Sequence, residues 1–118
     1  MISHIVLFEP KASLQPTEKR LFAQSVLEVL RKITAVRRFS IGRRVDIDPG
    51  YVRSLGDKTY EYSAVLEFDS AADLKTYLTD PLHHELGRLF WANCDRAIVS
   101  ETKSVDPDSP EAVDALVL

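Results

Sequence analysis

The sequence predicts an α+β fold with the element order β-α-β-β-α-β. Two observations predict it: four segments have the β-branched content or the apolar alternation of strands, and two have the apolar spacing of helices. The strands are expected at 1–9, 36–45, 59–68 and 96–102, and the helices at 17–33 and 70–93. In this ferredoxin-like arrangement, four strands form one antiparallel sheet and both helices cover one of its faces.

In the first half of the chain, strand 1 ends at Pro10, which lacks the amide hydrogen needed to continue a central ladder. Thr17 is the expected N-cap of helix 1. Strand 2 follows, with apolar residues at even spacing between arginines. The segment 46–57 contains Asp-Pro-Gly and Leu-Gly-Asp turns and is longer than a usual hairpin loop, so it is a candidate functional loop.

In the second half, strand 3 alternates apolar and polar residues, as a strand with one buried face does. Ser70 is the expected cap of a short helix, and Asp80-Pro81 should divide helix 2 into two pieces. After strand 4, residues 104–118 hold two prolines and are expected to form a loosely held tail with one helical turn near its end. We therefore divide the chain into one domain, 1–103, and a tail, 104–118.

Composition excludes several classes of function. A net charge of -3 gives no global positive field, so a nucleic acid partner is not expected. No apolar stretch approaches the roughly 20 residues of a membrane helix, so no membrane association is expected. The only cysteine, Cys94, cannot form an intrachain disulfide, and no signal-peptide pattern opens the chain, which predicts a cytoplasmic location.

Strand 1 carries apolar residues on both of its faces. Val6 and Phe8 share one face with His4, and Ile5 and Leu7 lie on the other. Because two helices cover only one face of the sheet, we expect a second copy of the chain to cover the other in a homodimer. A monomer with an exposed apolar patch is the alternative.

Five short segments of the chain resemble the stress-responsive A/B barrel (Dabb) family over about residues 1–103. They are Ile2–Phe8, Gly42–Arg44, Gly56–Tyr60, Leu66–Ser70 and Tyr77–His83. The most specific element is Pro81-x-His83 after a helix that ends near Tyr77. The resemblance implies a dimeric α/β barrel, with the two sheets facing each other and a cavity between sheet and helices in each subunit.

The resemblance does not fix an activity, because few members of the family have an assigned reaction. It implies that His4 and His83 match the two cavity histidines of a plant polyketide cyclase, and that Tyr77 matches its cavity tyrosine. A neutral histidine can remove a proton next to a carbonyl group, and a tyrosine hydroxyl can donate to the developing enolate. The alternative is that His83 caps the broken helix and His4 makes a hydrogen bond within the core. Where the cyclase has a further tyrosine on helix 1, this chain has Val26 or an apolar neighbour, so identical chemistry is not expected.

The expected walls of the cavity are apolar and suit a hydrophobic small molecule, although the same residues could instead form a filled core. They are Val6, Phe8, Phe22, Val26, Ala64, Leu66, Leu74 and Leu86.

Neither a metal ion nor a cofactor is expected. His83, His84 and Glu85 are adjacent on a helix, where neighbouring side chains point about 100° apart and do not easily share an ion. Three basic doublets on helix 1 and strand 2 are interpreted as a solvated face. The sequence thus predicts a homodimer that either binds a polyketide-like or aromatic molecule or catalyses a cyclase or lyase-like step on it. The alternative is a non-catalytic, stress-associated interaction dimer.

Overall fold

The computed structural model describes residues 1–48, 50 and 58–117. Its elements are β1 (Ile2–Pro10), α1 (Pro16–Lys32), β2 (Arg38–Arg43), β3 (Tyr62–Phe68), α2 (Ala71–Thr79), α3 (Pro81–Asn93), β4 (Cys94–Lys103) and α4 (Ala112–Val117). The four strands form one antiparallel sheet in the spatial order β2-β3-β1-β4. The predicted ferredoxin-like fold is confirmed, and the sheet of a single chain is open. Over the described residues, no helix is long and apolar enough to cross a membrane.

Helix α1 begins two residues earlier than a cap at Thr17 predicts. Pro16 takes the first helical position and Gln15 the N-cap, so the prediction that Thr17 caps the helix is wrong. Proline suits this position because its fixed φ is helical and its missing amide hydrogen has no partner there in any case. The backbone amide of Gln15 donates to the Glu18 carboxylate at 2.9 Å, as in one half of a capping box.

The strand boundaries also differ from those predicted. β2 ends earlier and β3 begins later than predicted, so both strands are shorter where the loop between them joins. Most of the predicted functional loop, residues 49 and 51–57, lies outside the described residues. β4 begins at Cys94, directly after α3, and pairs with β1 along its length. Since β4 is an edge strand with mostly exposed side chains, an apolar pattern does not mark its ends.

The predicted break in helix 2 is confirmed, and each half has its own cap. The Ser70 hydroxyl accepts from the Asp73 amide at 3.2 Å at the start of α2. The Asp80 carboxylate accepts from the Leu82 amide at 2.9 Å at the start of α3. The chain therefore turns sharply at Asp80 without leaving the first amides of α3 unpartnered.

The core lies between the helices and one face of the sheet. It consists of Phe22, Val26, Val29, Leu30, Ile33, Ala64, Leu66, Phe68, Tyr77 and Leu86, with His4 as the buried polar residue among the described ones. Phe68 and Leu66 of β3 are the most completely buried side chains, because β3 lies in the middle of the sheet beneath the helices.

The opposite face of the sheet is uncovered in a single chain. Leu7 of β1 lies directly across from Ile98 of β4, and these side chains are 38% and 50% exposed. Ile5 and Val65 face each other on the neighbouring strand pair, on the same side. Both faces of β1 are thus apolar, as the sequence predicted, and the described helices cover one of them.

Candidate functional site

Three predicted site residues converge at the break between α2 and α3. The Tyr77 ring meets the His4 ring edge-on, with 5.4 Å between centroids, and the His83 ring at 4.7 Å. His4 comes from the helix-facing side of β1, Tyr77 from the last turn of α2, and His83 from the first turn of α3. The turn at Asp80 brings the ends of the two helices together, so Tyr77 and His83 lie side by side above His4.

Glu101 completes this group, and the sequence did not predict it. Its Oε1 lies 2.9 Å from His4 Nδ1, because the pairing of β1 with β4 places the two residues directly opposite each other. A carboxylate only accepts hydrogen bonds, so Nδ1 of neutral His4 carries the hydrogen and Nε2 is left as the basic atom. Glu101 lies at even spacing from Ala97 and Val99 along strand 4, so all three side chains point to the same face of the sheet. This spacing was the available signal for the direction of the Glu101 side chain.

The surroundings of the two histidines favour their neutral forms. Burial lowers the pKa of His4, against the opposing charge and hydrogen bond of Glu101. Burial also lowers the pKa of His83, and His4 and His84 lower it further, against smaller opposing effects of the Leu78 backbone and Asp80. Both imidazoles can therefore accept a proton at neutral pH.

Tyr77 is held as a proton donor. Burial, followed by the negative charge of Glu101, raises the pKa of Tyr77 to about 12. Its hydroxyl therefore stays protonated at neutral pH and can donate a hydrogen bond to a substrate oxygen.

His83 Nδ1 is buried and has no hydrogen-bond partner in the described part of the chain. The Leu78 carbonyl, although close enough to raise the pKa of this ring, does not meet hydrogen-bond geometry with Nδ1. A buried polar atom without a partner costs about 1–3 kcal/mol. His83 also lines a cavity, so a bound molecule could supply the missing partner.

An inner cavity of about 140 Å³ lies beside these rings. His4, Tyr77 and His83 form its polar wall, and five of the predicted apolar wall residues belong to its apolar lining: Val6, Val26, Ala64, Leu66 and Leu86. An apolar protein cavity of about 150 Å³ is large enough for a benzene ring. The inner cavity therefore has the size of one aromatic ring.

An outer cavity of about 350 Å³ lies between α1 and the ends of β2 and β3. The predicted wall residues Phe8 and Phe22 line this second cavity, and Val26 lines both. Leu74 packs against the core and is absent from the described lining of either cavity. The sequence predicted one cavity, and the structure has two. The rings of Phe8, Phe22 and Phe90 pack edge to face between them, with centroids 5.0–6.2 Å apart.

Other candidate groups do not form a site. Across residues 1–48, 50 and 58–117, no group of three or more His, Cys, Asp or Glu side chains is placed to hold a metal ion. Burial raises the pKa of Cys94 to about 11, so this thiol stays protonated at neutral pH. The strand 2 arginines pair with acidic residues of β3 and its end: Arg37 with Asp69, Arg38 with Glu67, and Arg43 and Arg44 with Glu61.

The family model of the stress responsive A/B barrel domain, Dabb, matches residues 2–104 of the chain. The chain belongs to this family. No curated protein matches it.

Solved structures share the fold of this Dabb protein. A Dabb family protein with a ferredoxin-like fold from Mesorhizobium loti is 22% identical, with a TM-score of 0.71 over 89% of this chain and 97% of that one. A hydroxynitrile lyase from Passiflora edulis is 18% identical, with a TM-score of 0.71 over 90% and 96%. A dimeric protein of unknown function from Bacteroides fragilis is 24% identical, with a TM-score of 0.63 over 87% and 95%. At these identities the likeness shows a common fold.

Proposed function

We propose that this Dabb protein is a homodimer whose inner cavity binds a small aromatic molecule and cleaves or forms a carbon–carbon bond beside an oxygen-bearing carbon. The observation that carries the proposal is His83, whose buried Nδ1 has no hydrogen-bond partner among the described residues, in a cavity wall shared with neutral His4 and protonated Tyr77. This is a lyase-like reaction. The inner cavity, at about 140 Å³, favours a ring-sized substrate over an extended polyketide.

In the cleavage direction, the neutral imidazole of His83 takes the hydroxyl proton of the substrate, the oxygen forms a carbonyl group, and the adjacent carbon–carbon bond breaks. The Tyr77 hydroxyl donates a hydrogen bond to the substrate oxygen, on which negative charge develops as the proton is removed. The departing carbon takes the electron pair of the broken bond and then a proton from the protonated histidine. A positive charge on His4 lowers the pKa of His83, so the two rings favour a state in which only one of them is protonated to the cation.

The homodimer is supported by the uncovered face of the sheet. Leu7 and Ile98 lie in an apolar patch that the helices of the same chain leave exposed, and a second copy can cover it sheet to sheet. The Bacteroides fragilis protein, which shares the fold, is described as dimeric. The Passiflora edulis enzyme supports a lyase because it carries out such a reaction on this fold. A cytoplasmic setting is part of the proposal and fits the free thiol of Cys94.

The test compares His83→Ala with His84→Ala, a matched control because His84 is the exposed neighbour on the same helix. The substrate is the cyanohydrin of benzaldehyde, and the readout is the rate of benzaldehyde release. We expect His83→Ala to lose turnover by a factor of about 10² or more, whereas His84→Ala keeps it. The Tm of His83→Ala should change little, because the substitution also removes a buried polar atom without a partner. Equal turnover in the two variants would remove His83 from the mechanism.

A second candidate function, a non-catalytic interaction dimer, is favoured by the small size of the inner cavity. Ligand sites usually enclose about 300–1,000 Å³, and the inner cavity is below this range. Thermal denaturation with benzaldehyde, benzoate and phenol separates the two functions. A rise in Tm that His83→Ala abolishes supports the binding site, and unchanged Tm with all three in an intact dimer supports the interaction dimer.

A further inference from the structure

The C-terminal tail ends in a helix whose apolar face has no partner among the described residues of the same chain. After β4, the Ser104 amide donates to the Met1 carbonyl at 3.0 Å, and the chain then turns before α4. Val113, Leu116 and Val117 on α4 are 70%, 88% and 72% exposed. A helix this short is not stable by itself in water, so it needs a surface on which to pack.

The tail makes little contact with the rest of the described chain. Within the described residues, α4 packs against no other element to a substantial extent. The tail lies beyond residues 2–104, which match the Dabb family, so it is an addition to the shared domain.

The outer cavity is a surface of matching chemistry. Its volume of about 350 Å³ lies within the range of binding sites, and its walls include Phe8, Phe22 and Ile41. Ile41 is 58% exposed although it forms part of an apolar wall. The cavity is therefore open to an apolar group from outside.

The charges of the tail and the cavity are opposite. The tail has four acidic residues and neither lysine nor arginine: Asp106, Asp108, Glu111 and Asp114. Lys19 and Arg43 lie in the lining of the outer cavity. Among described residues Lys19 makes no ion pair. Arg43 has one ion pair, with Glu61 at 3.7 Å, and its side chain is still 74% exposed, so an acidic partner can reach both cations.

The outer cavity of a chain lies at the far corner of its sheet from the start of its own tail, which favours the cavity of another copy. The tail starts at Lys103, which pairs with Ile2, whereas the cavity adjoins Phe8, about 20 Å further along β1. Three strand spacings, about 14 Å, also separate β4 from β2. The turn at 106–109 shortens the tail further.

We infer that α4 of one copy docks in the outer cavity of a second copy, with the acidic residues of the tail beside Lys19 and Arg43 of that copy. In a symmetric dimer each copy gives its tail and receives the other's. The inference rests on the self-association in the proposed function and is independent of the chemistry at His83.

Cysteine cross-linking between full-length chains tests it, in a Cys94→Ala background. One chain carries Leu116→Cys and the other Ala23→Cys, since Ala23 lines the outer cavity. After mixing and mild oxidation, we expect a disulfide between positions 116 and 23 of different chains, identified by mass spectrometry. The control pairs Leu116→Cys with Leu78→Cys, an exposed position on α2 outside that cavity, and should give little product.

Equal yields with the control would overturn the inference, and so would a double variant that links positions 116 and 23 within one chain. Sedimentation separates this failure from that of the proposed dimer. A single mass of 13.3 kDa at micromolar concentration overturns both, and a dimer without the specific cross-link overturns only the docking of the tail.

Substitutions on α4 give a second measurement. Leu116→Asp should raise the dimer dissociation constant about tenfold or more, because an apolar contact is lost. Ala115→Asp, on the opposite side of the helix, should leave it unchanged. Decanoate should then stabilise Leu116→Asp more than the native protein, because the tail no longer competes for the cavity. Equal stabilisation would mean that the native cavity is free, which would overturn the inference.

Discussion

At the scale of residues, the pairing of His4 with Glu101 determines how His4 can act. Glu101 is partly exposed, with 40% of its side chain accessible, whereas His4 is buried. The carboxylate therefore stays hydrated while it holds the imidazole in one orientation and one tautomer. We regard Glu101 as a positioning residue, because it acts on the cavity through His4.

Replacement of Glu101 by Gln should lower the pKa of His4 further, because the negative charge of Glu101 raises it in the native protein. NMR titration of the imidazole resonances measures this change. The pKa of His83 should move little, because Glu101 is not among the groups that shift it, so this ring is the internal control. An unchanged pKa for His4 would mean that the pair does not form in solution.

The lowered pKa values of His4 and His83 make the stability of the protein depend on pH. Native His4 and His83 resist protonation, whereas histidines of the unfolded chain titrate near pH 6.5. The unfolded state therefore binds more protons as the pH falls below about 6.5, and the free energy of unfolding decreases. In Glu101→Gln this loss should be deeper, which urea unfolding at pH 7 and pH 5 would detect.

The residues of the site differed in how far the sequence could predict them. His4, Tyr77 and His83 were found through motifs of the family, and the structure brings their rings together. Glu101 was missed because its partner is 97 positions away and only the register of β1 against β4 joins them. The division of the cavity depends on how three phenylalanine rings pack, which apolar spacing does not contain.

At the scale of elements, the break between α2 and α3 positions the site. The side chain of Asp80 accepts from the Leu82 amide, and its carbonyl accepts from the His83 amide at 2.9 Å. This one residue therefore both caps α3 and fixes the backbone that carries His83. Ser70 makes a comparable cap at the start of α2, away from the cavity lining.

Asp80→Ala and Ser70→Ala should each lower the free energy of unfolding by about 1 kcal/mol, because each removes an N-cap. Only Asp80→Ala should also weaken the binding of ring-sized ligands at the inner cavity, since it loosens the first turn of α3. Urea unfolding and ligand-induced shifts in Tm measure the two effects. Equal ligand binding by both variants would show that the Asp80 cap does not position His83.

The elements that the sequence predicted best are those with a buried face. The helix break and the order of the strands follow from proline, capping residues and apolar spacing, and the structure confirms them. The predicted cap of α1 was wrong by two residues because Pro16 is itself a favourable residue for the first helical position. β4 was predicted too short because an edge strand has little burial to mark its ends.

At the scale of the whole molecule, the two faces of the sheet have different roles. One face meets the helices and carries His4, so it builds the core and the inner cavity. The other carries the uncovered apolar patch around Leu7 and Ile98. Because the strands are shared, the register that aligns Leu7 with Ile98 on the open face also aligns His4 with Glu101 on the other. In the proposed dimer, association on one face would therefore brace the strands that form the site on the other.

If the proposed dimer forms sheet to sheet, Leu7→Glu should convert it into a folded monomer. Each dimer would then bury two carboxylates at an apolar, symmetric interface, where charges without partners are strongly unfavourable. Light scattering should show the mass fall from twice 13.3 kDa to 13.3 kDa, while circular dichroism keeps its native shape. Leu21→Glu is the matched control, because Leu21 is an exposed leucine on α1, away from the open face. A dimer that survives Leu7→Glu but dissociates with Leu21→Glu would place the interface on the helices, and the sheet-to-sheet arrangement would be wrong.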